Sequence, residues 1–153
     1  LLIDLPPGTS DIHLTLVQTV PVTGAVLVTT PQKVAIADAQ KGLAMFKQPQ
    51  INVPVLGVIE NMSYFTPEEL PDNKYHIFGK DGGKKLAEKF DVPFLGEIPL
   101  VQNIREAGDI GYPAVMRDDV TANAFQSLAK RVAQRVAIRN AESAETIKVE
   151  LKV

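Results

Sequence analysis

Leu1-Leu2-Ile3-Asp4 runs through Leu5 into Pro6-Pro7-Gly8, so an apolar segment delivers a carboxylate and then turns. A carboxylate closing a buried strand is costly unless it is paired or bound to a cation. In that place it suits a hard ion such as magnesium, and Gly8, lacking a side chain, can bring its N–H close to a phosphate. Three further apolar runs end in polar residues or proline. Thr29-Thr30-Pro31-Gln32 comes after Ala25–Val28, Glu60-Asn61 after Val55–Ile59, and Pro99-Leu100 closes the run Phe94–Ile98. If the four runs are parallel strands, their carboxyl ends share one edge, and the residues just past each strand line one crevice. A carboxylate, two hydroxyls, two amides and an unhindered glycine N–H would then face a polar, phosphorylated ligand.

The elements that must hold these residues are legible in outline. The four runs are rich in Val, Ile and Leu without alternation, as strands covered on both faces should be. Helical stretches separate them. Asp11 or Ser10 can cap a helix over Ile12–Val20, and Thr30 with Pro31 at the first helical position opens another, with Ile36, Ala39, Leu43 and Phe46 on one face. Asp81 to Phe90 reads as a third helix and Val101 to Gly108 as a short fourth. Phe125, Leu128, Ala129, Val132 and Val136 recur at helical spacing after the capping candidates Asp118, Asp119 and Thr121. Strands alternating with helices, through connections too long for hairpins, predict an α/β fold: a three-layer α/β/α sandwich with a mostly parallel sheet.

Ser63 to Gly79 is the longest irregular stretch, of a length more often functional or mobile than incidental. The chain has 153 residues, 45% of them hydrophobic, which is enough for one core, and residues 1–144 read as one unit. Residues 145–153 form a tail whose end, Ile147 to Val153, alternates apolar and polar like an edge strand. A net charge of −2 gives no broad attraction for nucleic acid or anionic lipid, and no apolar run is long enough to span a membrane, so the expectation is cytoplasmic with neither partner. The chain has no cysteine, hence no disulfide and no thiolate metal ligand.

Other chemistry-bearing features carry blander readings. Gly79-Lys80-Asp81-Gly82-Gly83-Lys84-Lys85 has the glycines and lysines of a phosphate loop but not the Lys-Ser/Thr that must close one, so a glycine-rich helix start is expected. Arg131, Arg135 and Arg139 make an i, i+4, i+8 stripe that reads as a solvated helix face. His13 and His76 stand alone and are expected on the surface or in loops.

Leu-Leu-Ile-Asp-Leu-Pro-Pro-Gly-Thr-Ser-Asp (1–11), Val-Thr-Thr-Pro-Gln (28–32), Gly-Val-Ile-Glu-Asn-Met-Ser-Tyr-Phe (57–65), Ile-Phe-Gly-Lys-Asp-Gly-Gly (77–83) and Phe-Leu-Gly-Glu-Ile-Pro-Leu (94–100) closely resemble the Mrp/ApbC family. These are MinD/ParA-like P-loop ATPases that act as iron–sulfur cluster carriers. The resemblance runs from Leu1 to about Pro113 and implies an ATP-binding hydrolase acting with magnesium. It assigns Asp4 to the magnesium-binding switch aspartate and Gly8 to the γ-phosphate-sensing glycine, both catalytic. It further assigns Asn61 to the asparagine that hydrogen-bonds adenine, and Pro99 and Leu100 to the wall of the base pocket. A homodimer of ATP-bound protomers and iron–sulfur client or assembly proteins are the partners it implies.

No Gly-x-x-x-x-Gly-Lys-Ser/Thr phosphate loop occurs, so the chain is expected to be the carboxyl-terminal part of a longer, partial P-loop NTPase-like domain and inactive alone. Where cluster-carrying members place a Cys-x-x-Cys, this chain reads Thr66-Pro67-Glu68-Glu69-Leu70-Pro71-Asp72. Carboxylates are poor substitutes for thiolates on such clusters, so the cluster is the one cofactor the resemblance leaves open. Two rival readings stand beside it: a MinD/ParA-like positioning ATPase, and a nonenzymatic interaction module that kept the fold.

Overall fold

A computed structural model describes residues 1–149 except Glu68, Pro71, Asp118 and Lys148. Three strands, β1 (Ala25–Thr29), β2 (Val55–Glu60) and β3 (Phe94–Glu97), form one parallel sheet in chain order. Leu27 pairs with Val58 and Thr29 with Glu60, and across the next ladder Glu60 pairs with Glu97. The strand ends are therefore level at one edge. Helix α2 (Lys33–Phe46) connects β1 to β2, and α3 (Gly82–Lys89) leads into β3, the crossover geometry that parallel neighbours require.

Side chains alternate across the sheet and divide its core in two. Leu27 and Val58 face α2 and α3, where they pack with Leu43, Leu86 and Ala87. Val26 and Ile59 face the other way, joining Leu95 and Ile98 against Phe125, Leu128 and Val132 of the long helix α5 (Val120–Glu142). Helix α4 (Gln102–Asp109) adds Ile104 to that side. The result is the expected three-layer α/β/α arrangement. A third cluster, Val17, Met45, Phe46, Ile51 and Val53, anchors α1 (Asp11–Thr19).

Several expectations need correction. Leu1–Ile3 is not a strand: residues 1–10 carry no helix or strand, and Leu1, Leu2 and Ile3 are all exposed. A strand exists through its ladder, and this run has neither a hydrogen-bonded neighbour nor a core beneath it. Helix α2 begins two residues later than expected, with Gln32 rather than Thr30 as its cap, because Thr29 and Thr30 continue the strand exit. His13 is buried rather than superficial, its Nδ1 within 3.2 Å of Ser10 Oγ. Ser10 caps α1 by position without a side-chain bond to the backbone, whereas Asp119 does cap α5, accepting the Ala122 N–H at 2.9 Å.

The arginine stripe is more than a solvated face. Arg131 donates to the Leu95 carbonyl at 2.9 Å, fastening α5 to β3, and Arg139 donates to Thr146 Oγ1 at 2.9 Å. The edge-strand reading of 145–153 falls largely outside the described residues. Within them, Val149 donates to the Val17 carbonyl at 3.0 Å and packs on the α1 cluster.

Candidate functional site

The level strand ends bring three segments onto one rim. Asn61 comes directly after β2 and donates its backbone N–H to the Thr29 carbonyl at 2.7 Å, so it lies against the exit of β1 and beside Thr30. Ser63 N–H donates to the Ile98 carbonyl at 3.0 Å, and Leu100 N–H to the Tyr64 carbonyl at 2.7 Å. Those two bonds draw Pro99 and Leu100 onto the segment carrying Asn61. Thr30, Asn61, Pro99 and Leu100 thus form one continuous edge across three neighbouring strands.

Polar groups on that edge are held ready. Asn61 Oδ1 accepts the Met62 N–H at 2.9 Å, which fixes the amide and leaves its N–H₂ as a donor. Met62 adopts a left-handed backbone, φ 53°, sharpening the turn. Thr30 Oγ1 is buried with no hydrogen-bond partner among the described residues. Buried hydroxyls are normally satisfied, so this one is an unpaired group enclosed just beneath the rim. Pro99 is buried beside these groups.

Asp4 and Gly8 are not bonded to this rim among the described residues. Both are exposed on the segment without secondary structure. Gly8 has φ 90°, in the region glycine favours, with open space where a Cβ would lie.

Behind the rim lies a network that the strand pattern does not reveal. Glu60 is 1% exposed at the end of β2. A buried carboxylate demands partners, and it has two: Ser63 Oγ donates to Oε1 at 2.7 Å, and the Gly83 N–H donates to Oε2 at 2.5 Å. Gly83 is the second residue of α3, so the carboxylate sits at the positive end of that helix. This explains why Gly79 to Lys85 is not a phosphate loop. The anion its helix receives is the protein's own Glu60. The signals in the sequence are a glutamate closing an apolar strand and a serine three residues on.

Ser63 Oγ also lies 3.0 Å from Glu97 Oε2, on the adjoining strand. Lys74 answers Glu97 from the irregular stretch, 3.6 Å from its Oε1 and 3.8 Å above the Tyr64 ring. Phe65 and Tyr75 exchange backbone hydrogen bonds at 2.8 Å, and His76 Nδ1 lies 3.2 Å from the Ser63 carbonyl. The stretch from Ser63 to Gly79 is therefore fastened to the rim at several points. Among the described residues no group of three or more His, Asp or Glu side chains converges to hold a metal, and no helix is long and apolar enough to cross a membrane.

A parallel sheet with helices on both faces, and a polar rim where the strands end, defines an open α/β domain, a class that takes its ligands beyond the strand ends. Residues 1–133 match the family described as NUBPL iron-transfer P-loop NTPase, of the ParA group, and the chain belongs to that family. It is 49% identical over 140 residues to an iron-sulfur cluster carrier protein of Synechocystis sp., covering 90% of this chain and 39% of that protein. Against the iron-sulfur cluster transfer protein NUBPL of Mus musculus it is 45% identical over 138 residues, covering 89% and 42%. The chain thus spans about two-fifths of the length of these curated relatives. Among solved structures it is similar to a nucleotide-binding protein from Archaeoglobus fulgidus in complex with ADP, with a TM-score of 0.60, 36% identity, and coverage of 70% of this chain and 43% of the other. The cell division ATPase MinD of Pyrococcus furiosus aligns with a TM-score of 0.54 at 25% identity, covering 73% and 43%.

Proposed function

We propose that in the whole protein this chain supplies the base-binding side of an ATP site, and that the protein is an ATP-hydrolysing iron–sulfur cluster carrier. The observation that carries the reading is the rim of Thr30, Asn61, Pro99 and Leu100, joined by the backbone bonds from Asn61 to Thr29 and from Leu100 to Tyr64. Adenine presents a donor beside an acceptor along its edge, and an asparagine amide meets both kinds of group. The fixed Asn61 amide, with its N–H₂ left as a donor, fits the edge of a planar, polar base. The carrier and transfer proteins at 45–49% identity support this reading over a positioning ATPase.

Asp4 and Gly8 are proposed to act on the phosphate side. Asp4 offers one carboxylate, a donor set that fits magnesium, an ion that takes most of its ligands from nucleotide phosphates and water. When bound, magnesium would neutralise charge developing on the transferred phosphoryl group. Gly8 would place its N–H against the terminal phosphate and sense its loss. Residues 1–144 are proposed as part of one ATPase domain, working as a cytoplasmic homodimer with iron–sulfur clients. The cluster is cargo, and with no cysteine among these 153 residues, any thiolate that grips it comes from outside them.

The test is magnesium-dependent ATP hydrolysis by the whole protein, measured together with cluster transfer to an apo acceptor. The reading expects Asp4→Ala to lower hydrolysis by about a hundredfold or more, in line with losing a group that positions the metal. An unchanged rate removes Asp4 from the mechanism, and hydrolysis without cluster transfer removes the carrier role.

A further inference from the structure

A second surface lies beside the rim. Helices α2 and α3 run along one face of the sheet, and between them is a groove of about 520 Å³. Its floor is apolar, built on Ile36, Phe78 and Leu86. Four lysines stand around it: Lys33 from α2, Lys80 from the glycine-rich loop, and Lys85 and Lys89 from α3. All four are exposed. No carboxylate lines the groove and none of the four joins a salt bridge among the described residues; Lys89 alone has a side-chain partner, the neutral Gln40 amide at 3.1 Å. The chain as a whole carries 18 acidic against 16 basic residues, so this is a local concentration of positive charge on a slightly acidic molecule.

We propose that this groove docks an acidic segment of a partner protein, an extended or helical peptide whose aspartates and glutamates meet the lysines while an apolar side chain seats on the floor. Charge complementarity selects the partner and speeds its approach, and the apolar anchor holds it. A free phosphate would satisfy the lysines and leave the floor unused. A nucleic-acid backbone would need a basic face extending well beyond one groove. The glycines of the loop serve the groove's shape. A Cβ on Gly82 would lie 2.8 Å from the Pro31 carbonyl, so the loop can close against Pro31 only with glycine there. Pro31 lines the groove and its neighbour Thr30 lies on the rim, so the partner sits next to the nucleotide site without occupying it.

The experiment selects short peptides from a random displayed library on the whole protein, then measures the winners by fluorescence anisotropy. Enriched peptides are expected to carry Asp and Glu around an apolar residue and to lose affinity as salt rises. The Lys80→Glu/Lys85→Glu double variant should weaken them about tenfold or more, and Phe78→Ala several-fold, while Lys130→Glu, at an exposed position of α5, changes binding by less than about twofold. Circular dichroism melting confirms that each variant folds. Lys80→Gln/Lys85→Gln, which removes charge without reversing it, should give an intermediate loss. ATP affinity is measured on the same samples and is expected to be unchanged, which separates this docking from the nucleotide reading. No enrichment, or winners indifferent to Lys80 and Lys85, overturns the proposal. So does lysine-dependent binding of phosphatidylglycerol vesicles or inorganic phosphate without peptide binding, which assigns the groove to a membrane or a small anion.

Discussion

The Glu60 carboxylate accepts the Gly83 N–H at 2.5 Å, tying the end of β2 to the start of α3 across 23 residues of chain. Asn61 is the next residue after Glu60, so the bond that starts a helix also sets the position of the rim. Glu60 and Ser63 fix the two sides of the turn that carries Asn61, and Gly83 fixes the loop beside it.

Gly83 has to be glycine for that contact. A Cβ there would lie 3.1 Å from the Glu60 Cβ and 3.3 Å from its Oε2, closer than the pair can comfortably accept. Gly83→Ala is expected to lower stability by about 1–2 kcal/mol despite alanine's better helix propensity. Gly42, inside α2, is the counter-case, because its Cβ would meet only Leu27 Cδ2 at 4.0 Å. Gly42→Ala should raise stability by about 0.4–1 kcal/mol. Denaturant melts of the two variants, read side by side, check both signs.

Removing the carboxylate tests the same bond from the other end. Glu60→Ala leaves the buried Gly83 N–H without its acceptor, while the Ser63 hydroxyl keeps Glu97, and is expected to cost about 1–3 kcal/mol, the penalty for one unsatisfied buried group. Glu60→Gln keeps an oxygen for Gly83 and should cost less. Amide hydrogen exchange at Gly83 is the site-specific readout, faster in Glu60→Ala than in Glu60→Gln.

The parallel α/β architecture and the rim are legible in the sequence because both arise from short-range pattern: unalternating apolar runs, each succeeded by polar residues or proline. Thr30, Asn61 and Pro99 meet because parallel strands deliver their ends to one edge, which needs no knowledge of side-chain packing. Leu1–Ile3 misleads for the same reason. Its composition is that of a strand, but pairing is a tertiary property that a three-residue run cannot reveal. The role of Glu60 is hidden because its partner lies 23 residues away, and the stripe of Arg131 and Arg139 reads as solvated because the Leu95 carbonyl and Thr146 hydroxyl that engage them leave no mark at helical spacing.

Arg131 is predicted to fasten α5 to the sheet. Its guanidinium donates to the Leu95 carbonyl of β3 at 2.9 Å. Arg131→Ala is expected to cost about 1 kcal/mol, less than the usual charged hydrogen bond because the side chain is partly solvated. Thermal melts of the native protein and the variant check the loss.

Asn61, held between Thr29 and Met62, is proposed to recognise adenine, and the functional reading rests on that contact. The decisive experiment is calorimetric titration of ATP and GTP into the whole protein and into Asn61→Ala. The native protein is expected to prefer ATP, and Asn61→Ala to lose about tenfold or more in ATP affinity with little change for GTP, erasing the preference. Equal affinities of the two proteins for ATP, or a preference that survives the substitution, would show that Asn61 does not read the base.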